Sequence, residues 1–274
     1  MTESRLPSFE RPPLIETATS VQFIQLSGLS NAQVALFWDH KLRSDYPEHT
    51  NTGPISSQSE QFSELPRKRP QFPILKVGAF PPARLQMMSK DNHQMVQMQN
   101  DRLVFNWRRL DKGTYPRWKM TREKFRDALS KFREFLKEEN IGELKPKQWE
   151  VTYVNHFLAG EDWKSPDDWE ALVPGLIGTG IKLPQLEKES LGTRIQLEIK
   201  PRKGRLHVEL NHGFRSTEDE ETEILTLQLV ARGPVESEDE TELMNGLDLG
   251  RSVIVRAFAE LTGAEAHKRW GREK

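Results

Sequence analysis

The side chains best suited to chemistry lie on two strand-like runs. Across Trp149 to Leu158, strand alternation sends Glu150, Thr152, Val154 and His156 to one face and Trp149, Val151, Tyr153, Asn155 and Phe157 to the other. In the run Arg102 to Arg109, Asn106 and Arg108 share a face opposite Phe105 and Trp107. If the two polar sets fall on one side of neighbouring strands, Glu150, His156, Asn106 and Arg108 form a pocket for a polar or anionic group, with His156 as proton carrier. The competing expectation carries more weight. In it Glu150–Arg108 and His156–Asn106 are satisfied cross-strand pairs, and His156 completes a buried hydrogen bond. Asn211-His212 echoes Asn155-His156 but precedes Gly213 and is read as a turn.

A second constellation is aromatic and basic. Trp107 and Trp118 stand among Arg108, Arg109, Arg117 and Lys119, a mixture that stacks on and neutralises single-stranded nucleic acid, although core tryptophans beside a solvated basic helix face are commoner. Charge is uneven along the chain. Residues 67–147 hold 20 Lys/Arg against 9 Asp/Glu, and residues 210–245 hold 2 against 10, while the whole chain sums to -1. Such polarity steers a partner or docks one half on the other. The acidic runs Glu218 to Glu221 and Glu236 to Glu240 are read as a solvated loop and a helix start.

Other chemistries are excluded by absence. With no cysteine, the chain has no disulfide, thiolate zinc site, iron–sulfur cluster or cysteine nucleophile. No phosphate-binding Gly-x-x-x-x-Gly-Lys loop, His-Glu-x-x-His or Gly-x-Ser-x-Gly elbow occurs, and Gly175, Gly178 and Gly180 are spaced as a helix end rather than a dinucleotide fingerprint. No metal or cofactor is expected. No apolar stretch approaches the roughly 18 residues of a bilayer crossing, and no apolar segment follows Met1–Arg5, so the expectation is a cytoplasmic protein without a membrane partner.

The elements that position these residues follow from periodicity. Leu14 to Phe23 reads as a strand, and Ser30-Asn31-Ala32-Gln33 as a capping box before a helix carrying Val34, Phe37, Trp38 and Leu42. Residues 49–82, with Pro54, Pro66, Pro70, Pro73, Pro81 and Pro82, read as one long loop. Arg84 to Met88, Gln94 to Gln99 and Arg102 to Arg109 form a meander. A helix capped by Thr121 presents Phe125, Leu129, Phe132 and Leu136. In the second half Ser165-Pro166-Asp167-Asp168 opens a short helix holding Trp169, Leu172, Val173, Leu176 and Ile177. Arg194 to Lys200, Arg205 to Leu210 and Ile224 to Ala231 are strands, and Ser237 to Glu240 starts a terminal helix with Leu247, Ile254, Phe258 and Leu261 on one side.

At 274 residues the chain is long for one core and apt for two units. Both halves spell strand, helix, three strands, helix, with matches such as Glu16/Phe23 to Glu150/Phe157 and Arg84-Leu85-Gln86-Met87 to Arg194-Ile195-Gln196-Leu197. The expected fold is α+β: internally duplicated β-α-β-β-β-α units over 1–147 and 148–274, forming curved antiparallel sheet with helices packed on one face.

Pro13-Leu14-Ile15-Glu16, Gln97 to Arg109 with its Phe105-Asn106-Trp107-Arg108, Tyr115-Pro116-Arg117-Trp118, Glu150 to His156, and the closing Phe258 to Trp270 segment with His267 together resemble a sporadically distributed bacterial family of unknown function. The resemblance spans most of the chain and implies no activity, ligand or catalytic residue. It fits a non-enzymatic protein-binding or assembly component whose partner is encoded nearby, as in a defence or toxin–antitoxin operon. The alternatives are nucleic-acid binding through the basic half, and an enzyme or ligand-binding protein using Glu150 and His156.

Overall fold

The computed structural model describes residues 6–60, 62, 84–110, 113–177, 183–216 and 221–273. Nine strands appear: β1 (Leu14–Phe23), β2 (Glu48–Thr52), β3 (Arg84–Met88), β4 (Gln94–Gln99), β5 (Arg102–Arg108), β6 (Pro146–Leu158), β7 (Gly192–Ile199), β8 (Gly204–Ser216) and β9 (Glu221–Pro234). They form one sheet in the order β2-β3-β4-β5-β1-β6-β9-β8-β7. Every neighbouring pair is antiparallel. The architecture is α+β, as expected, and both halves contribute to a single apolar core.

Alternation decides which side of the sheet is covered. Phe23 of β1 meets Phe132 of helix α2 (Arg117–Glu138) at 5.6 Å between ring centroids, and Phe37 of α1 (Asn31–Phe37) meets the same ring at 5.2 Å. On β6, Phe157 stacks at 5.4 Å on Trp270, just beyond the short helix α5 (Ala264–Arg269). Trp149 packs beneath α4 (Glu240–Leu261), whose Gly246 and Gly250 admit the indole. A Cβ at Gly246 would stand 2.3 Å from Trp149 Cδ1, and one at Gly250 2.6 Å from Cζ3. The alternate residues, Gln22, Gln148, Glu150 and His156 among them, project to the opposite, polar face.

Several expectations need correction. β2 falls where an unbroken loop was expected. Its Glu-His-Thr-Asn-Thr sequence has no apolar alternation because it is a sheet edge that buries almost nothing. Helix α2 begins at Arg117 rather than after Thr121, whose hydroxyl donates back to the Trp118 carbonyl at 3.1 Å. Asn211 and His212 are not a turn: β8 runs through them because β9 supplies a paired partner as far as Ser216. The Ser165/Asp168 capping box forms, but only a 3-10 turn and helix α3 (Trp169–Leu172) follow it, and Gly175 lies in the next turn. Gly178, Gly180, the acidic residues 218–220 and most of the Pro-rich segment, residues 63–83, lie outside the described residues.

Candidate functional site

The polar face carries a row of three glutamines made by register alone. Gln99 of β4 pairs with Arg102 of β5, Arg102 with Gln22 of β1, and Gln22 with Gln148 of β6. Along this row, from Gln99 to Gln148, lies the segment that leaves β2. Gln99 accepts the Ile55 N–H at 3.0 Å and donates to the Ile55 carbonyl at 3.0 Å. Gln22 and Gln148 both donate to the Gln58 carbonyl, at 2.9 and 2.8 Å, and Gln148 also accepts the Glu60 N–H at 2.9 Å. Residues 53–60 thus form a strap held by its backbone at Ile55, Gln58 and Glu60 and by its side chains, the Ser57 hydroxyl donating to Gln22 Oε1 at 3.3 Å and Arg232 donating to Gln58 Oε1; the backbone groups are ones any bound chain offers.

The strap ends in a chain of charges. Glu60, with 7% of its side chain exposed, lies 2.6 Å from His207 Nε2 and 3.1 Å from Arg232 Nε, and also pairs with Arg205. Burial pushes its carboxyl up, but the His207 hydrogen bond and the charges of His207, Arg205 and Arg232 outweigh that and hold it below the usual glutamate value. Arg232 Nη1 lies 3.3 Å from Glu150, whose other oxygen lies 3.4 Å from Arg102 Nη1. Arg102 is 4% exposed, and its Nε and Nη2 have no hydrogen-bond partner. Burial lowers its pKa and the Glu150 carboxylate opposes that shift. Phe62 closes the strap with its ring 5.0 Å from the Arg205 guanidinium carbon.

The four residues expected to form a pocket do share this face, but the sheet separates them. β1 lies between β5 and β6, and Asn106 is level with Thr152 through Ala18 while Glu150 is level with Val104 through Ser20, so Asn106 and Glu150 stand two strand spacings and two residues apart, about 12 Å in the sheet. The expected pairs are not made. Glu150 pairs with Arg102 and Arg232, while Asn106 donates to Glu16 at 2.6 Å and accepts from Gln97 at 2.7 Å. Glu16 is pushed up by burial against the opposing pull of Asn106 and Arg108. Arg108 makes a 4.0 Å contact to Met88 sulfur, and its Nε has no partner. His156 does not complete a buried hydrogen bond through Nδ1, which is buried and unpartnered; burial, then the charge of Arg215, pushes its pKa down to about 4.

The aromatic–basic constellation is likewise dispersed. Trp107 is 3% exposed and packs in the helix-covered core, 5.2 Å from Tyr115, so its ring is not presented to a base. The Trp118 indole donates to Asp248 at 2.7 Å, Arg109 donates to the Pro12 carbonyl at 3.0 Å, and Arg117 to that of Phe9 at 3.2 Å. Lys119, exposed like Arg117, is the one of the five whose side chain has no hydrogen bond, ion pair or ring contact among the described residues. Gln22, Gln99, Gln148, Arg102, Arg232 and Glu60 escape a sequence search because each is an unremarkable polar position on its own element. The one signal common to the five strand residues is placement on the polar side of strands that prove to be in register, and Glu60, on the strap, has none.

Among the described residues no group of three His, Asp or Glu is disposed to hold a metal ion, and no helix is long and apolar enough to cross a membrane. No family model matches the chain, and no curated protein matches it. One solved structure, the di-domain ARO/CYC StfQ from the steffimycin biosynthetic pathway, aligns over 93% of this chain and 99% of its own at 9% identity, with a TM-score of 0.18. A likeness of that size carries no argument about fold or function.

Proposed function

We propose that the protein is a non-enzymatic binding component whose polar sheet face holds an extended, acidic stretch of polypeptide, with the strap as the occupant in cis. The observation that carries this reading is that Gln99, Gln22 and Gln148 address the strap through the main-chain atoms of Ile55, Gln58 and Glu60. Main-chain recognition is independent of sequence, so a partner segment can take the same row once the strap is displaced. Selectivity then comes from Arg205, Arg232 and His207, which meet a carboxylate. A labelled peptide of the 53–62 sequence should bind a Glu60→Lys variant, whose own strap is loosened while Gln99, Gln22, Gln148, Arg205, Arg232 and His207 stay in place, and a version of the peptide with Lys in place of the acid should not. Purification from the native host should recover one stoichiometric protein partner. A lone monomer together with no peptide binding overturns the reading.

The two halves are in this reading copies of one duplicated unit. What supports it is that the sheet order reads alike outward from the β1–β6 pair: β5, β4 and β3 on one side, β9, β8 and β7 on the other. An experimental structure in which β1-β5-β4-β3 fails to superimpose on β6-β9-β8-β7 removes it.

A further inference from the structure

On the opposite, helix-covered side of the sheet lies a cavity of about 370 Å³, open to solvent between α4, the start of α2 and the segment of residues 6–12. Its size falls at the small end of the range for ligand pockets. Leu14, Leu229, Val255 and Phe258 supply apolar wall, and the polar groups converge at one place. There the Tyr115 and Tyr153 hydroxyls meet at 2.9 Å, and Arg251 hydrogen-bonds Tyr153.

Arg251 can only donate, so it gives a proton to the Tyr153 oxygen, while either tyrosine hydroxyl can donate in the bond between them. Burial pushes both phenols above the ordinary tyrosine value, so they stay protonated rather than act as bases. Arg251 is half-buried and its side chain lines the cavity, and its Nε has no hydrogen-bond partner among the described residues. Arg251 makes no ion pair among the described residues. Arg117 also lines the cavity but is committed to the Phe9 carbonyl, and Glu273 is the lone carboxylate of the wall among the described residues. A half-buried guanidinium on an otherwise largely apolar wall, with no carboxylate of its own, offers the counter-charge for an anionic group.

We infer that this cavity binds a small organic carboxylate, its apolar body between α4 and the sheet and its carboxyl oxygens on Arg251. This site is independent of the peptide face and stands or falls without it. The test uses the full chain with benzoate and hexanoate as probes and benzamide and hexanamide as neutral counterparts, followed by calorimetry and thermal shift. The acids should bind saturably and raise the melting temperature, and the amides should bind at least about tenfold more weakly. Arg251→Gln, its fold checked by circular dichroism, should erase that discrimination. Val255→Phe, or Leu14→Phe if the first does not fold, should fill the space and abolish binding of both classes. Failure of either acid to bind, equal binding of acid and amide, or unchanged affinity in Arg251→Gln overturns the assignment.

Discussion

Gln99 holds Ile55 by both of its main-chain groups, accepting the N–H and returning an N–H to the carbonyl, each at 3.0 Å. A side-chain amide thereby does for the strap what a neighbouring strand does for an edge, and it does so on the face of a sheet rather than at its rim. Gln99→Leu keeps the volume and removes both bonds, together with a third that Gln99 donates to Asp101 at 2.6 Å. Three hydrogen bonds predict a loss of about 2–4 kcal/mol. The more specific signature is faster proteolysis and amide exchange across residues 53–60, and unchanged rates there would show that Gln99 does not hold the strap.

Glu60 should matter more, because it faces three basic groups at once. At pH 7, Glu60→Gln removes the carboxylate that Arg205, Arg232 and His207 share, Arg232 keeping Glu150, and is expected to cost about 2–3 kcal/mol, below the figure for a wholly buried pair because both guanidiniums are partly solvated. The pH dependence has a definite sign. Folded Glu60 titrates below the unfolded value of 4.5, so its contribution is complete above 4.5 and is lost as pH falls through the lower folded value. Denaturant unfolding of wild type and variant at neutral and acidic pH should therefore converge as the pH is lowered. A constant gap rejects the ionic account.

His156 predicts the opposite kind of curve. The unfolded imidazole takes up a proton from about pH 6.5, whereas the folded one resists it until about 4, so stability declines as pH falls through that window. His156→Gln, neutral throughout, should flatten this decline. At pH 7, His156→Ala should stay within about 1 kcal/mol of wild type, since Nδ1 has no hydrogen bond to lose. A larger loss at neutral pH would show that the imidazole has a partner in solution.

Gly246 and Gly250 set two magnitudes against each other. Alanine for glycine in a helix gains about 1 kcal/mol from backbone entropy. Here each new methyl would press on the Trp149 indole at 2.3 to 2.6 Å, and overpacking of that kind costs about 1–3 kcal/mol. With ring and helix backbone both confined, repulsion should win, and either alanine variant should melt below wild type. A rise in melting temperature would mean that α4 does not approach β6 so closely.

Much of the local structure was legible in the chain. β1, β3 and β4 have the bounds that alternation and turn residues assign, and the division of β6 into an apolar and a polar side follows from period two alone. The helices are found where Phe125, Leu129 and Phe132, or Leu247 and Ile254, recur along one stripe. These features depend on near neighbours in sequence, and a strand or helix imposes its period whatever it packs against. What packs beside what is a different matter. β5 and β6 are successive strands separated by α2, yet β1 enters between them, and that single insertion parts Asn106 from Glu150 and gives Glu150 to Arg102 and Arg232 instead. The glutamine row is assembled from positions 22, 99 and 148, and the strap that runs along it comes from a segment whose prolines and serines suggest only loop. Trp149 finds its space under Gly246 and Gly250 nearly a hundred residues on. No local pattern encodes such meetings, because they are set by strand order and register, which the whole chain chooses together when it buries one face of the sheet and leaves the other for polar contacts.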